Sequence, residues 1–257
     1  MQQDEWQRLI AEAATRRSAP VAARTFRKKW GGFSNTVLLL CYDGHEYAVK
    51  GRQAGRGIVN DQVDARLGEA LGAPVAPAAL VTISEELIAA EPELGHMPAG
   101  VCHGTQLIEA CRDSDRAAFL YTDVPENRSR FALLAILYGW AGCFQDHQFV
   151  YPGAPPHLVY SVDHGHFFRG GPSWTIADLA ATGPAVVDQT ITAGANLSAE
   201  EIARGSSCLR SISHEVIAAS VATPPDEWQF AMAERVALAT YLAERRDALL
   251  QALGVAA

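Results

Sequence analysis

Three charged side chains stand at the ends of short β-rich segments, where together they could handle a phosphate group. Lys50 ends the run Tyr47-Ala-Val-Lys50, and Asp146 and Asp163 are seventeen residues apart, a spacing that lets a short hairpin bring both carboxylates to one end. An amine at the end of an apolar strand needs an anionic partner if it is buried. Paired carboxylates favour a divalent cation, and Mg²⁺ suits hard oxygen ligands and bridges to nucleotide phosphates. Together, Lys50, Asp146 and Asp163 predict a protein that transfers a phosphoryl group.

A glycine turn precedes Lys50 and adds to this prediction. The turn is Gly31-Gly32-Phe33-Ser34-Asn35, and glycine, which has no Cβ, lets backbone N–H groups approach phosphate oxygens. An ordinary hairpin explains the same residues equally well. Gly31, Gly32, Ser34 and Asn35 are therefore candidate nucleotide-binding residues.

A helix is predicted directly after Lys50, over Val59 to Leu71. Val63, Leu67 and Leu71 recur every four residues, and Gly72 supplies a stop. Asp61 lies in the first turn, where it could pair with Lys50 once strand and helix pack together. Asn60 is predicted to be the N-cap of this helix.

These residues fall in the first of two regions of different pattern. An amphipathic helix is predicted over Asp4 to Arg17, and strands are predicted over Thr36–Cys41, Glu46–Lys50, Ala79–Ile83 and Gly104–Ile108. We place a lobe boundary near residue 108. Residues 1–108 then form an N-lobe with a small mixed or antiparallel sheet and one main helix.

The second region, residues 109–257, is predicted to be mostly helical. Phe131 to Trp140 is apolar on every side, which predicts the central helix of this lobe. Two short strands are expected within 144–151 and 158–163, and helices over Ala199–Arg210 and Glu227–Leu253. The whole pattern predicts an α+β fold with two lobes.

Composition narrows the class of protein and of partner. The chain has 257 residues and a net charge of −8, which disfavours general affinity for nucleic acid. Its longest apolar stretch, Phe131 to Phe144, is shorter than a bilayer span, so no membrane partner is expected. The five cysteines are odd in number and form no C-x-x-C pair. The N-terminus lacks the pattern of a secretory signal, so we expect a cytoplasmic location.

The order of these segments resembles the HipA-like kinases. The resemblance lies in Tyr47-Ala-Val-Lys50, in Gly57-Ile-Val-Asn60-Asp61 with Leu71-Gly-Ala-Pro-Val75, in Asp146-His147 and in Val162-Asp-His-Gly165. It covers about residues 25 to 168. It implies a bilobal protein-kinase-like fold, with ATP and Mg²⁺ bound between the lobes and a phosphoryl group transferred to a hydroxyl.

The resemblance also implies roles for individual residues. Lys50 would hold the α- and β-phosphates of ATP, and Asp61 would orient Lys50. Asp146 would be the catalytic aspartate and Asp163 the magnesium ligand. Backbone groups around Ile108 would bind the adenine.

Two positions depart from the family pattern. His147 stands where the family usually has an arginine, and Tyr151 where it has an asparagine metal ligand. Either Gln148 supplies an amide oxygen to the metal, the loop register differs, or one magnesium site is missing. A pseudokinase, which binds nucleotide without transferring phosphate, is thus an alternative to the active kinase.

The histidines near the aspartates suggest a third function. His147, His164 and His166 adjoin Asp146 and Asp163, and imidazole with carboxylate can bind zinc or iron in a hydrolase. No H-E-x-x-H spacing supports this reading.

The acceptor of a phosphoryl group is not encoded in a recognisable motif. It could be a protein or a small molecule. The stretch Phe168 to Leu197, rich in Gly, Ala, Thr and Pro, could be an acceptor-binding or regulatory loop, or a plain surface excursion.

Overall fold

The structure of the chain is a computed structural model that describes residues 1–31, 35–109, 111, 119–143, 147–181 and 183–254. Gly32, Ser34 and Asp146, three of the predicted site residues, lie outside the described residues.

The predicted small sheet is a closed barrel of five strands. They are β1 (Val21–Gly31), β2 (Thr36–Cys41), β3 (Glu46–Lys50), β4 (Ala78–Ile83) and β5 (Gly100–Gln106), in the order β1-β2-β3-β5-β4. Neighbours pair antiparallel, except that β1 meets β4 in parallel at Val21↔Val81 and Ala22↔Thr82, which closes the barrel. β-branched and aliphatic side chains fill the interior because alternate residues of each strand point inward.

The remaining elements are mostly helical. The helices are α1 (Gln3–Ala14), α2 (Gly57–Leu71), α3 (Glu85–Ala90), α4 (Pro125–Ala141), α5 (Ile176–Ala180), α6 (Gln189–Gly194), α7 (Ala199–Arg210), α8 (His214–Ala222) and α9 (Met232–Ala252). Two short strands, β6 (Phe149–Val150) and β7 (Tyr160–Ser161), pair antiparallel in the second region, as predicted. No helix within the described part of the chain combines the length and the apolar character that a bilayer crossing requires.

Helix α2 begins earlier than predicted, and the N-cap prediction for Asn60 is wrong. Arg56 occupies the N-cap position, and Gly57 is the first helical residue. The helix extends backwards because the backbone N–H groups of Val59 and Asn60 both find the carbonyl of Arg56. The predicted stop is present, since Gly72 adopts the left-handed conformation with φ 74°.

The bounds of β5 and the start of the last long helix also differ from the prediction. β5 starts at Gly100 and ends at Gln106, because pairing with β4 recruits residues of low strand propensity. Ile108 therefore lies two residues beyond the strand. The last long helix starts at Met232, because Asp226–Trp228 forms a separate 3-10 helix that ends at Gln229 with φ 56°.

Helix α4 is the centre of the helical core, as its all-round apolar sequence predicts. Phe131, Leu134, Tyr138 and Trp140 are fully buried, and α4 contacts α2, α6, α7 and α9. Its close approach to the segment before α6 depends on Gly139. A Cβ at this position would lie 2.2 Å from the carbonyl oxygen of Val186.

Candidate active site

Lys50 lies at the centre of a three-residue charge cluster. Its Nζ donates to Asp61 Oδ2 at 2.9 Å and also to Asp163 Oδ1. The Lys50 side chain is 13% exposed and that of Asp61 2%, whereas Asp163 keeps 34% of its side chain exposed. The cluster is thus buried on the Asp61 side and open to solvent on the Asp163 side.

Three separate elements deliver these side chains. Lys50 is the last residue of β3 and pairs with His103 of β5. Asp61 lies in the first half of α2, which is buried over almost its whole length. Asp163 follows β7 by two residues and has a left-handed backbone with φ 62°, a conformation that costs a non-glycine residue energy and that surrounding contacts must hold.

The two carboxylates keep Lys50 charged. Burial alone would lower the pKa of the Lys50 amine, but the charges of Asp61 and Asp163 and their hydrogen bonds outweigh it and raise that pKa above its usual value. A permanent ammonium therefore stands beside the exposed carboxylate.

Gln148 is the fourth member of the site. Its Nε2 lies 3.2 Å from Asp163 Oδ2, and the backbone N–H of Val162 donates to the carbonyl of Gln148 at 3.1 Å. A carboxylate and an amide are the hard oxygen donors that Mg²⁺ takes from proteins. The donor set therefore fits Mg²⁺, which the Asp163 carboxylate and, after rotation of the amide, the Gln148 oxygen would hold.

The other predicted nucleotide-binding residues lie in the barrel. Gly31 ends β1 and pairs with Thr36 at the start of β2. Asn35, with φ 48°, lies at the end of the glycine turn, and its carbonyl is 3.0 Å from His96 Nε2. Ile108 is half-buried just after β5. No contact joins Gly31, Asn35 or Ile108 to Lys50 within the described residues, so their nucleotide-binding roles stay predictions.

His147 and Tyr151, the two departures from the family pattern, are both engaged elsewhere. His147 Nε2 lies 3.0 Å from Asp188 Oδ2, and its ring stacks on Tyr138 with 5.1 Å between centroids. The hydroxyl of Tyr151 accepts from the backbone N–H of Leu120 at 3.1 Å.

A chain of buried polar groups lies under the site. His164 Nδ1 is 3.4 Å from Asp64 Oδ2, His164 Nε2 is 2.8 Å from Ser161 Oγ, and Ser161 Oγ is 2.6 Å from the Tyr138 hydroxyl. Burial raises the pKa of Asp64 well above its usual value and lowers the pKa of His164 to about 4. Each of these pKa shifts favours the neutral form of its side chain, which lowers the cost of burying it.

The same contacts weigh against the metal-hydrolase function. Both ring nitrogens of His164 lie against protein groups, and Nε2 of His147 lies against Asp188. Among the residues that the structure describes, no group of three or more histidines, cysteines or acidic residues is placed to hold a metal ion.

Sequence reasoning missed the polar face of α2. Asn60, Asp61 and Asp64 are almost fully buried and all face the segment that follows β7. The signal was present, because polar residues at positions i, i+1 and i+4 of a helix with an otherwise apolar pattern share one face. The sequence pattern predicts a cap role for Asn60 and no role for Asp64, whereas both side chains contact the segment after β7.

Comparisons with known proteins agree with the resemblance seen in the sequence. Residues 23–133 match the family model described as HipA-like kinase, which confirms that resemblance over this part of the chain. No curated protein matches the chain in sequence.

Solved structures of kinases share the fold. The proinflammatory kinase CtkA of Helicobacter pylori aligns with a TM-score of 0.57 at 14% identity, over 89% of this chain and 94% of that chain. The Golgi casein kinase aligns with a TM-score of 0.51 at 12% identity, over 99% of this chain and 77% of that chain. A Golgi casein kinase structure with Mn/ADP bound gives 0.49 at 12% identity, over 98% and 77%. The first two likenesses show a kinase-like fold that mixes helices and strands.

Proposed function

We propose that this protein is an ATP- and Mg²⁺-dependent phosphotransferase that phosphorylates a hydroxyl group of a protein or small-molecule acceptor. The nucleotide would bind between an N-lobe of residues 1–108 and a helical C-lobe of residues 109–257. The kinase-like fold and the family match over residues 23–133 support this class of activity.

The observation that carries the proposal is the contact of Lys50 with Asp61 and Asp163. The ammonium comes from the barrel, and Asp163 comes from a segment 113 residues further along the chain. A salt bridge that served stability alone would gain little from an exposed carboxylate. An ammonium beside an accessible carboxylate suits a ligand that carries both phosphates and a cation.

Each residue then has a distinct task in the transfer. Asp61 holds Lys50 in place, and Lys50 offsets negative charge on the phosphates. Asp163 and Gln148 would hold Mg²⁺, which when bound neutralises the charge that develops on the phosphates. Asp146 would orient the acceptor hydroxyl and accept its proton. Backbone groups of the glycine turn, Gly31 to Asn35, would contact phosphate oxygens, and those near Ile108 would bind the adenine.

A pseudokinase is the second candidate, and Tyr151 favours it. The residue at the position of the family's asparagine has its hydroxyl against Leu120 and packs on Tyr121 with 5.4 Å between ring centroids. One metal ligand of an active kinase is then absent unless Gln148 replaces it. This alternative predicts nucleotide binding without phosphate transfer.

Transfer from labelled ATP separates the two candidates. We expect the purified protein to release or transfer the γ-phosphate in the presence of Mg²⁺, and Asp146→Asn to lower this rate by about 10²- to 10⁴-fold, the usual contribution of a catalytic base. Asp4→Asn, on the exposed face of α1, is the matched control and should keep the wild-type rate. Nucleotide binding with no transfer would favour the pseudokinase.

A further inference from the structure

Among the residues that the structure describes, the side chain of Asn60 forms its hydrogen bonds with a single segment of the chain. Its Nδ2 carries two hydrogens and lies 2.9, 3.0 and 3.1 Å from the carbonyl oxygens of Gly165, Phe167 and Gly171, so one hydrogen is shared between two of them. Its Oδ1 accepts from Trp174 Nε1 at 2.9 Å. All four partners lie within residues 165–174, which we call the post-Asp163 segment.

This arrangement is costly to lose because three of its four hydrogen bonds are buried. Asn60 is 0% exposed and Trp174 1%. The post-Asp163 segment belongs to no sheet, and its only regular structure is a short 3-10 helix at Gly171–Ser173, so few backbone partners are available to its carbonyls. Buried carbonyls without partners are rare in folded proteins, and here a side chain of α2 takes the place of backbone donors.

A second contact joins the same face of α2 to the same segment. Arg56, four residues before Asn60, lies over the ring of Trp174 at 4.7 Å and forms an ion pair with Glu234 of α9. Residues at this spacing share one face of a helix. The segment is thus fastened to α2 near its beginning and at its end.

The hydrogen bonds of Asn60 connect directly to the charge cluster. Gly165 is two residues after Asp163, and Asp61 is the next residue after Asn60. A closed ring of contacts results: Asn60 bonds Gly165, Asp61 bonds Lys50, and Lys50 bonds Asp163, and the backbone joins the ends of these contacts. Asp163 needs such support, because its backbone is held at φ 62°.

We propose that Asn60 is a positioning residue for the Asp163 carboxylate: its carboxamide locks the post-Asp163 segment against α2 and so fixes Asp163 where Lys50 meets it. The inference rests on the proposed function for the part that Asp163 plays as a metal ligand. The attachment of the post-Asp163 segment to α2 is inferred from the hydrogen bonds of Asn60 alone and does not depend on the proposed function.

The test compares Asn60→Ala with Asn127→Ala. Asn127 is also 0% exposed; its Nδ2 donates to the carbonyls of Tyr121 and His157, and its Oδ1 accepts from the backbone of Val159. The two variants remove similar buried networks, but only one network touches the post-Asp163 segment. Both proteins are measured well below their unfolding temperatures.

The first readout is hydrogen exchange without nucleotide. We expect the backbone amides of residues 165–171, 173 and 174 to exchange about 10-fold faster or more in Asn60→Ala, because local opening of the segment then breaks fewer hydrogen bonds. Asn127→Ala should leave these amides at the wild-type rate. Unchanged exchange in Asn60→Ala overturns the proposal.

The second readout is the Mg²⁺ concentration that half-saturates ATP binding. It should rise about 10- to 100-fold in Asn60→Ala, the usual cost of losing a residue that orients a metal ligand, and stay unchanged in Asn127→Ala. Equal shifts in both variants would show a merely structural role. If Asn60→Ala does not fold, Trp174→Phe removes one of the four bonds and should raise this concentration about 5-fold, for a bond of about 1 kcal/mol; no rise overturns the proposal.

Different results would refute the proposed function and the proposal for Asn60. Absence of ATP binding in the wild type would refute the proposed function and, with it, the role of Asp163. Wild-type Mg²⁺ dependence and normal exchange in Asn60→Ala, in a protein that does bind ATP, would refute the Asn60 proposal alone.

Discussion

At Lys50, one ammonium faces two carboxylates of unequal exposure. Asp61 is buried and Asp163 is open to solvent, so the two contacts have different consequences. The buried contact fixes the position of the amine. The exposed one leaves a carboxylate that, under the proposed function, would accept a cation while Lys50 would keep its contact with Asp61 and direct its other N–H groups to the phosphates. The geometry therefore matches a site that is charged before its ligand arrives.

Lys50→Met should both destabilise the protein and abolish nucleotide binding. It leaves Asp61 as a buried carboxylate without its cation, which typically costs about 3–5 kcal/mol in the free energy of unfolding. The double variant Lys50→Met/Asp61→Leu should regain most of this stability without regaining ATP affinity. Urea unfolding and ATP titration measure the two effects, and Lys29→Met, exposed on β1, is the control. Recovery of ATP affinity in the double variant would contradict the role of the amine.

His103 should make the protein sensitive to acid. It is 1% exposed, its ring contacts Gln62 and Thr105, and burial lowers its pKa from the ordinary 6.5 to about 4. Below about pH 6.5, His103 binds a proton in the unfolded chain but stays neutral in the folded protein. The free energy of unfolding therefore falls as the pH drops from about 6.5 towards 4.

His103→Gln should reduce this loss, by about 2 kcal/mol between about pH 7 and pH 5. Part of the acid sensitivity should persist, because His164 has the same shift. Unfolding by urea at both pH values measures it, with His45→Gln, at an exposed barrel position, as the control. An unaltered pH dependence would show that His103 is protonated in the fold.

At the scale of elements, helix α2 organises the site. One face carries Arg56, Asn60, Asp61 and Asp64, which reach the post-Asp163 segment, Lys50 and His164. Its apolar residues pack into the main core, which α4 also forms. Asn60 and Asp61 can be buried in this helix because each has hydrogen-bond partners on neighbouring elements.

Gly139→Ala should destabilise the protein although alanine favours helices by about 1 kcal/mol over glycine. The new Cβ would meet backbone atoms, at 2.2 Å from Val186 O and 2.9 Å from Val187 Cα, so the segment that carries Asp188 must shift away from His147. Overpacking of this kind costs about 1–3 kcal/mol. Thermal unfolding measures it, and Gly183→Ala, which meets nothing within 4 Å, should be nearly neutral. If Gly139→Ala were more stable than the wild type, α4 and the segment before α6 would not be packed tightly at this position.

The sequence allowed β2, β3, α7 and the all-round burial of α4 to be predicted because their signals are local, in hydrophobic period and turn residues. The contact of Lys50 with Asp61 was predicted for the same reason. The barrel closure, the start of β5 and the partners of Asn60 could not be predicted, since each depends on a residue more than fifteen positions away. Helix α8 was missed because its nine residues, His214–Ala222, are too few to show a helical period.

At the scale of the whole molecule, the site joins the barrel to the helical region. Lys50 and Asp61 come from the segment that matches the HipA-like kinases, and Asp163 lies beyond it. A second connection is made through the backbone of Val101. Its carbonyl accepts from Trp228 Nε1 at 2.7 Å, and its N–H donates to Glu227 Oε1 at 2.6 Å. A ligand bound at Lys50 and Asp163 together would therefore strengthen the contact between both regions.

Calorimetric titration of MgATP into the wild type and Asp163→Asn tests the central claim most directly. Asparagine tolerates the left-handed backbone of this position, so the variant changes the charge and spares the loop. We predict binding by the wild type and an affinity about 10- to 100-fold lower in the variant. Equal affinities, or no binding by the wild type, would contradict the assignment of Lys50 and Asp163 to a nucleotide–metal site.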